Sequence, residues 1–374
     1  FRPQLHPRVD HSRHIPGAGM KELRAPFPYF GGKRPVAHLV WDALGNVAHY
    51  VEPFFGSGAV LLNRPHAANC ETVNDMDGLL SNFWRAVRAN PDAVAHHAAW
   101  PVNEADLHAR HLWLVNARDN LTTRLMAEPD WFDAKAAGWW AWGLSCWIGG
   151  GWCGGDGPWQ SVDGEFTDTR KTGDTGRGVN RKRPHLSNTG NGVNRRLPHL
   201  GGTGQGVNRQ LPHLGGTGQG VNRQLPHLGG REEFLRGWFA DLAERLHNTR
   251  VACGDWTRVC GPSVLRSAGG ICGVFLDPPY DQSMRSDVYA METPVAGDVL
   301  EWCKANGDNS DLRIVLAGYD GEHNALEAMG WRVTAWKAAG GYGSQGQGRG
   351  EENATKERLW FSPHCLSARQ GSLL

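Results

Sequence analysis

The stretch HYVEPFFGSGAVLLN, residues 49–63, reads as a short strand, a glycine turn and the start of an apolar helix. Glycines let the backbone approach a ligand closely, and the amides at a helix start can meet the ligand's polar groups. A second strand-like segment ends on Asp75, 19 residues after Gly56, and a ribose-binding acid is expected about 20 residues after such a turn. Together these features predict a site for a nucleoside-containing cofactor. Helix capping is the alternative role for Asp75 and Asp77.

A third strand-like segment ends in a similar way in FLDPPYDQS, residues 275–283. The apolar run stops at Asp277, and two prolines and Tyr280 follow. Prolines fix φ and remove backbone donors, so this loop is stiff and rich in acceptors. Because open α/β sheets bind ligands beyond the carboxyl ends of their strands, the loop predicts a pocket for an amine on a flat ring. An ordinary turn at the end of a strand is the alternative.

The order of the segments predicts the fold class. Strand-like and helical stretches alternate on both sides of the middle region, which is typical of an α/β sheet. Ahead of the first strand, FPYFGGKRPVAHLVWDAL, residues 27–44, resembles a ligand loop that leads into a helix. Near the end, GWRVTAW at 330–336 and ERLWFSP at 357–363 predict a terminal antiparallel pair. We therefore expect a mixed sheet covered by helices.

The composition narrows the classes of function. With 39 Lys and Arg against 38 Asp and Glu, nucleic-acid binding would have to come from a local basic patch rather than a global field. Eight cysteines are scattered without a C-x-x-C pair, which predicts reduced thiols, a cytoplasmic location and no metal site. No apolar run reaches the length of about 18 residues that spans a membrane. Residues 1–19, a polar stretch before Met20, are expected to be a disordered leader outside the fold.

The middle of the chain contains a tryptophan-rich segment and a repeat. We expect the six tryptophans at 138–159 to be mostly core, and a stacking platform for bases is the alternative. From Gly178 a unit of 14 residues recurs with too few apolar residues for a core, which predicts a loop array or a disordered arm. Its cations outnumber its acids and predict contacts to DNA phosphates, with a linker of no function as the alternative. The candidate DNA-binding residues are Arg181, Lys182, Arg183, Arg195, Arg196, Arg209 and Arg223.

Four motifs in one order carry a family resemblance. PYFGGK, VEPFFGSGAVLLN, Asp75 and FLDPPY, with a long variable segment before the last, resemble the Dam-type adenine-specific DNA methyltransferases (D12 class, alpha group) of prokaryotes and phages. The resemblance covers roughly residues 27–88 and 231–362. It implies a Rossmann-like α/β sheet that binds S-adenosylmethionine, with an inserted target-recognition region. The implied parts are a cofactor-binding part at 20–130, the tryptophan-rich and repeat insertion at 131–230, and a catalytic part at 231–374.

The resemblance also implies roles for individual residues. Asp277 and the Pro278 carbonyl would accept the hydrogens of an adenine amine, and Tyr280 would stack on the base after it flips out of double-stranded DNA. The implied catalytic residues are Asp277, Pro278, Pro279 and Tyr280. The residues implied to bind S-adenosylmethionine are Tyr29, Lys33, Glu52, Phe54, Gly56, Gly58, Asp75, Asp255 and Asp277. No metal is implied, and the existence of a restriction endonuclease partner stays open.

Three other functions compete with this interpretation. Methyltransferases that act on the N4 amine of cytosine more often have Ser ahead of the prolines. RNA and protein-glutamine methyltransferases more often have Asn there and lack the early PYFGGK motif. In a catalytically vestigial DNA-binding protein only the basic repeats would matter, and the intact Asp277 and Tyr280 argue against it.

Overall fold

The computed structural model describes residues 23–27, 29, 32–67, 69–147, 152–153, 159–162, 165–168, 231–279, 295–336 and 357–367. Three sets of predictions lie outside these residues. They are the predicted disordered leader at 1–19, the predicted DNA-binding arginines and lysine of the repeats, and Tyr280, which is implied to stack on the flipped base.

Strands and helices are interspersed along the described chain. The strands are β1 His49–Glu52, β2 Cys70–Asp75, β3 Trp159–Val162, β4 Glu165–Asp168, β5 Thr249–Cys253, β6 Cys272–Leu276, β7 Leu312–Tyr319, β8 Arg332–Ala335 and β9 Glu357–Phe361. The α-helices are α1 Ala37–Leu44, α2 Ala59–Leu62, α3 Gly78–Ala89, α4 Pro91–Ala98, α5 Glu104–Ala127, α6 Ala134–Cys146, α7 Arg231–Arg245, α8 Thr257–Cys260, α9 Pro262–Leu265 and α10 Val295–Asn306. Two 3₁₀ helices span Arg34–Val36 and Asn324–Met329.

Seven of the described strands form one sheet in the order β5-β2-β1-β6-β7-β9-β8. The first five of these strands run parallel, whereas β9 is antiparallel to both of its neighbours. This arrangement confirms the predicted α/β sheet and the predicted antiparallel pair near the end of the chain. The remaining two strands, β3 and β4, form a separate antiparallel hairpin.

Both faces of the central strands are buried, as expected for parallel strands, whereas the edge strand β8 is exposed. Successive residues alternate between the two faces, so Tyr50 and Phe275 join one hydrophobic cluster while Val51 and Val274 join the other. Helices α1, α3, α4, α6 and α7 contribute to the first cluster, and α8, α9 and α10 contribute to the second. The helices cover the two faces of the sheet. The loops at the carboxyl ends of the strands, which we call the carboxyl edge, hold polar residues.

Side-chain caps explain where several helices begin. Asp77 accepts from the amide of Leu79 at the start of α3, so helix capping, the alternative considered for this residue, is confirmed. Asn90, Asn103 and Asp133 cap α4, α5 and α6 in the same way. Such caps satisfy amides that have no partner within the helix.

The tryptophan-rich segment is mostly core, as predicted. Trp140, Trp142, Trp147 and Trp152 are buried, and Trp139 packs partly buried against the same cluster. Helix α6 carries three of these residues and packs against α3 and α4. This helix therefore shares a core with the part predicted to bind the cofactor, and the boundary at residue 131 stays a prediction.

A buried ionic network joins α7 to the first half of the sheet. Glu71 on β2 accepts from both terminal nitrogens of Arg245 at 2.7 and 2.9 Å, from Arg64 at 3.0 Å and from the Thr249 hydroxyl at 2.8 Å. Burial raises the pKa of Glu71, but the hydrogen bonds from these partners outweigh burial and hold it below its ordinary value. The network fixes the chain where it re-enters the described fold after the repeats.

The eight cysteines are free thiols in the structure. None of the helices in the described ranges is long and apolar enough to cross a membrane.

Candidate active site at the carboxyl edge of the sheet

The predicted site residues lie beyond strands that are neighbours in the sheet. Strand β1 pairs with β2 on one side and with β6 on the other, so the chain order reverses between β1 and β6. In open α/β sheets, ligands bind in the crevice outside the carboxyl ends of the strands at this switch point. The glycine turn follows β1, and Asp277 follows β6. The fold therefore places the two predicted loops side by side.

The glycine turn needs glycine at both predicted positions. Gly56 and Gly58 have φ values of 50° and 64°, a region that residues with a side chain rarely adopt. A Cβ on Gly56 would lie 2.7 Å from the ring of Tyr29, and one on Gly58 would lie 2.7 Å from the ring of Phe55. The predicted N-terminal loop thus packs against the turn through Tyr29. Helix α2, which follows the turn, has only four residues. The backbone of the turn therefore shapes the site more than the start of this helix does.

Asp75 is hydrogen-bonded to the glycine turn. Its Oδ2 accepts from the amide of Gly56 at 2.9 Å, and its Oδ1 accepts from the amide of Asp77 at 3.0 Å. Burial raises the pKa of Asp75 to about 6, although these hydrogen bonds act in the opposite direction. A carboxylate has about four acceptor positions, so it can accept further hydroxyl groups beside the turn.

Asn74 is a site residue that sequence reasoning missed. Its buried Nδ2 donates to the carbonyls of Pro53 and Gly254 at 3.1 and 2.9 Å, and thereby joins the loops after β1 and β5. Trp84 of α3 adds a hydrogen bond from Nε1 to the Gly56 carbonyl at 2.9 Å. Nothing in the sequence distinguishes Asn74 from other polar residues near strand ends, because its partners are far away along the chain.

Phe54 and Asp255 follow β1 and β5, the two strands on either side of β2 in the sheet. The half-buried ring of Phe54 stacks on Trp256, with centroids 6.1 Å apart and planes 29° apart. The ring of Phe54 also packs against the second hydrophobic cluster. Asp255 lies on an exposed turn, where its Oδ1 accepts from the amide of Thr257 at 2.9 Å. The stacked pair of Phe54 and Trp256 thus links the loop after β1 to the loop after β5.

Glu52 is buried at the end of β1. Its Oε2 accepts from the Tyr50 hydroxyl at 3.0 Å. Burial raises the pKa of Glu52 well above its ordinary value, and the nearby charge of Asp277 raises it further. The raised pKa favours the protonated carboxyl, a form that donates a hydrogen bond as well as accepting one.

Asp277 forms an ion pair with the buried Lys33. The Lys33 Nζ lies 3.0 Å from Asp277 Oδ1, and Lys33 is only 5% exposed, which excludes a surface lysine. Burial alone would lower the pKa of Lys33, but the charges of Asp277 and Glu357 outweigh it and hold that pKa above its ordinary value. Pro278 is buried and Pro279 is half-buried directly after the pair. Lys33 was predicted to hold a cofactor, and the structure brings it to the predicted catalytic carboxylate.

A second carboxylate reaches the same lysine. Glu357 opens β9 and lies opposite Tyr319, so the antiparallel direction of β9 brings it to the carboxyl edge. Its Oε2 lies 4.0 Å from Lys33 Nζ. Sequence reasoning missed Glu357, because its position at this edge follows only from the order and direction of the strands.

In the described part of the chain, no group of three or more His, Cys, Asp or Glu residues is arranged to hold a metal ion.

Comparison with known proteins connects this geometry to a family. Residues 29–115 match the family model of the D12 class N6 adenine-specific DNA methyltransferases. The matched range contains Lys33, the glycine turn and Asp75, and ends before Asp277. The family methylates the N6 amine of adenine in DNA with S-adenosylmethionine as the methyl donor, so the match favours adenine over cytosine. A comparison with curated proteins found no match.

Proposed function

We propose that this chain, which carries a D12 class N6 adenine-specific DNA methyltransferase domain, methylates the N6 amine of an adenine flipped out of double-stranded DNA. The observation that carries the proposal is the ion pair between the buried Lys33 and Asp277, which follows β6, the strand next to β1 and its glycine turn. An acidic acceptor fixed beside a nucleoside-type site suits transfer to an amine on a base. The predicted catalytic role of Asp277 and the predicted stacking role of Tyr280 are part of this proposal.

The residues at the carboxyl edge fit S-adenosylmethionine. Asp75 offers acceptors for ribose hydroxyls, and the turn at Gly56 and Gly58 has the left-handed backbone conformation that glycine permits. Phe54 is half-buried and stacks on the buried Trp256, and we assign its ring to contact the adenine of the cofactor. When bound, this cofactor supplies an electrophilic methyl group, and the protein supplies orientation. We therefore assign cofactor binding to the loops after β1, β2 and β5.

The catalytic work of the chain is to increase the nucleophilicity of the adenine amine. The nitrogen lone pair is conjugated into the ring, so the amine reacts only as it rehybridises. Asp277 and the Pro278 carbonyl accept the two amine hydrogens and stabilise the positive charge that develops on nitrogen. Lys33 holds the Asp277 carboxylate in one orientation through its 3.0 Å contact, which preorganises the acceptor before the base arrives.

The product tests this proposal. Unmethylated DNA incubated with the protein and S-adenosylmethionine, then digested to nucleosides and analysed by mass spectrometry, should contain N6-methyldeoxyadenosine. N4-methyldeoxycytidine would place the chain with the cytosine enzymes instead. DNA without any methylated base would favour a DNA-binding protein that has lost catalysis.

Cofactor affinity should depend on the ionisation of Asp75. Its pKa is raised to about 6, and ribose hydroxyls donate best to the ionised carboxylate. Lowering the pH from about 7.5 to about 5.5 protonates most of this group, so the dissociation constant for S-adenosylmethionine should rise about fourfold. Isothermal titration calorimetry at the two pH values measures this change.

Asp75→Asn is the matched control, because it keeps the size of the side chain and removes its titration. It should bind the cofactor more weakly at both pH values, with no comparable pH dependence. The comparison also cancels any titration of the cofactor itself. An equal pH response in both proteins would show that Asp75 does not accept the ribose hydroxyls.

We also propose that the repeats contact DNA phosphates, as their cations predict. Phosphate contacts release counterions, and each one contributes about 0.9 to the slope of log affinity against log salt. Deleting residues 192–219 removes two whole repeat units, including Arg195, Arg196 and Arg209. The slope measured by fluorescence anisotropy should become shallower by about 2 to 3, and the Michaelis constant for DNA should rise while the methylated sequence stays the same.

Replacing the same three arginines with glutamine provides a control of unchanged length. It should flatten the salt dependence as much as the deletion does. A deletion variant that methylates a different sequence would instead show that the repeats read bases.

A further inference from the structure

Two carboxylates from different strand ends share the ammonium of Lys33. Its Nζ lies 3.0 Å from Asp277 Oδ1 and 4.0 Å from Glu357 Oε2, and the ring of Trp336 lies 5.9 Å away. Lys33 and Glu357 are 5% and 7% exposed, so solvent screens their interaction weakly. Tyr319, opposite Glu357 on β7, also faces this lysine. The cluster therefore acts as one electrostatic unit beside the proposed catalytic carboxylate.

The charge of this cluster suits the reaction. One ammonium between two ionised carboxylates leaves a net charge of about −1, whereas Lys33 and Asp277 alone would be neutral. Methyl transfer places positive charge on the amine nitrogen, and preorganised negative charge stabilises the transition state. Glu357 is the residue that makes the cluster negative.

The two carboxylates lie at different distances from the Lys33 ammonium. Asp277 is within hydrogen-bonding distance of Lys33, and Glu357 lies about one ångström beyond it. When the Asp277 carboxylate turns part of its acceptor capacity to the substrate amine, a buried ammonium needs another counter-charge nearby. Glu357 supplies that charge without contact to the substrate.

We propose that Glu357 is a positioning residue for methyl transfer, which shares the Lys33 ammonium with Asp277 and so leaves Asp277 available to the amine. This inference rests on the proposed function, because it assigns a role within the same reaction. It adds a residue from outside the range that matches the family, on a strand that neither predicted loop includes.

The variant Glu357→Gln keeps the size of the side chain and removes its charge. Its single-turnover rate of methyl transfer should fall about tenfold, while the Michaelis constant for DNA and the dissociation constant for S-adenosylmethionine stay within about twofold. Asp320→Asn is the control, since Asp320 lies at the same strand end and pairs with Arg358 at 2.8 Å on the surface. The control should keep the wild-type rate within about twofold. Urea midpoints check that each variant is folded.

A double-mutant cycle separates positioning from packing. In a Lys33→Met background, Glu357→Gln should reduce the rate less than it does in the wild-type background, because the part of its effect that passes through Lys33 is already lost. A packing role would give the same loss in both backgrounds and would overturn the inference. Glu357→Asp keeps the charge and should lose less activity than Glu357→Gln, and equal losses would also overturn it.

The outcomes distinguish this inference from the function on which it rests. Wild-type protein that forms no N6-methyldeoxyadenosine would overturn the proposed function and the role of Glu357 together. Active wild-type protein with Glu357→Gln at an unchanged rate would overturn the role of Glu357 alone.

Discussion

Replacing Asp277 with alanine should lower the rate of methyl transfer to DNA by at least about a hundredfold. The change removes a preorganised acceptor for the amine hydrogens, and loss of one such transition-state contact costs on the order of a hundredfold or more. It also removes the ion-pair partner at 3.0 Å from the buried Lys33, while the Glu357 carboxylate stays 4.0 Å from the same ammonium. Single-turnover assays with saturating DNA and cofactor measure the loss in the chemical step.

The fold of this variant should persist, because Asp277 lies after β6 and its side chain is 22% exposed. Asp311→Ala is a matched control: Asp311 is an exposed aspartate just before β7, at the opposite edge of the sheet. The control should keep the wild-type rate within about twofold. A rate for Asp277→Ala within threefold of wild type would refute the assignment of Asp277 as the acceptor.

The largest expected loss of stability follows from Glu71→Ala. This change leaves two arginine side chains, of Arg64 and Arg245, without the carboxylate that both contact in the interior. Breaking a buried ion pair by removing one partner costs about 3–5 kcal/mol, because the remaining charge is uncompensated. Urea unfolding followed by circular dichroism should show this decrease in the free energy of unfolding at neutral pH.

The pH dependence of this effect has a definite sign. The pKa of Glu71 lies below its ordinary value of 4.5 in the fold, so its stabilisation is present above that value and is lost as the pH falls through the folded-state pKa. Glu301→Ala is the control, since Glu301 pairs with Lys304 on the surface and surface pairs contribute about 0–1 kcal/mol. A loss for Glu71→Ala no larger than that of the control would show that the network does not hold α7 in place.

Local sequence signals predicted the elements that carry the site. The glycine turn after β1 and the prolines after β6 mark strand ends through backbone chemistry alone, since φ preferences belong to single residues. The acid near the end of β2 followed from a spacing along one continuous strand–turn–strand unit. These features needed no knowledge of how distant segments pair.

Contacts between distant segments were beyond the reach of the sequence. Lys33 and Asp277 are separated by more than two hundred residues, and only the order of the strands brings them together. Glu357 reaches the same lysine because β9 runs against its neighbours. Asn74 links two loops through carbonyl oxygens, which every residue has, so no residue pattern identifies its partners.

The central claim is that this chain transfers a methyl group from S-adenosylmethionine to the adenine amine with Asp277 as acceptor. The most direct measurement uses cofactor with a deuterated methyl group, unmethylated DNA, and the wild-type and Asp277→Ala proteins in parallel. Nucleoside mass spectrometry should find trideuterated N6-methyldeoxyadenosine with the wild-type protein and at least about a hundredfold less with the variant. Label on deoxycytidine, no label on DNA, or equal label from both proteins would contradict the account.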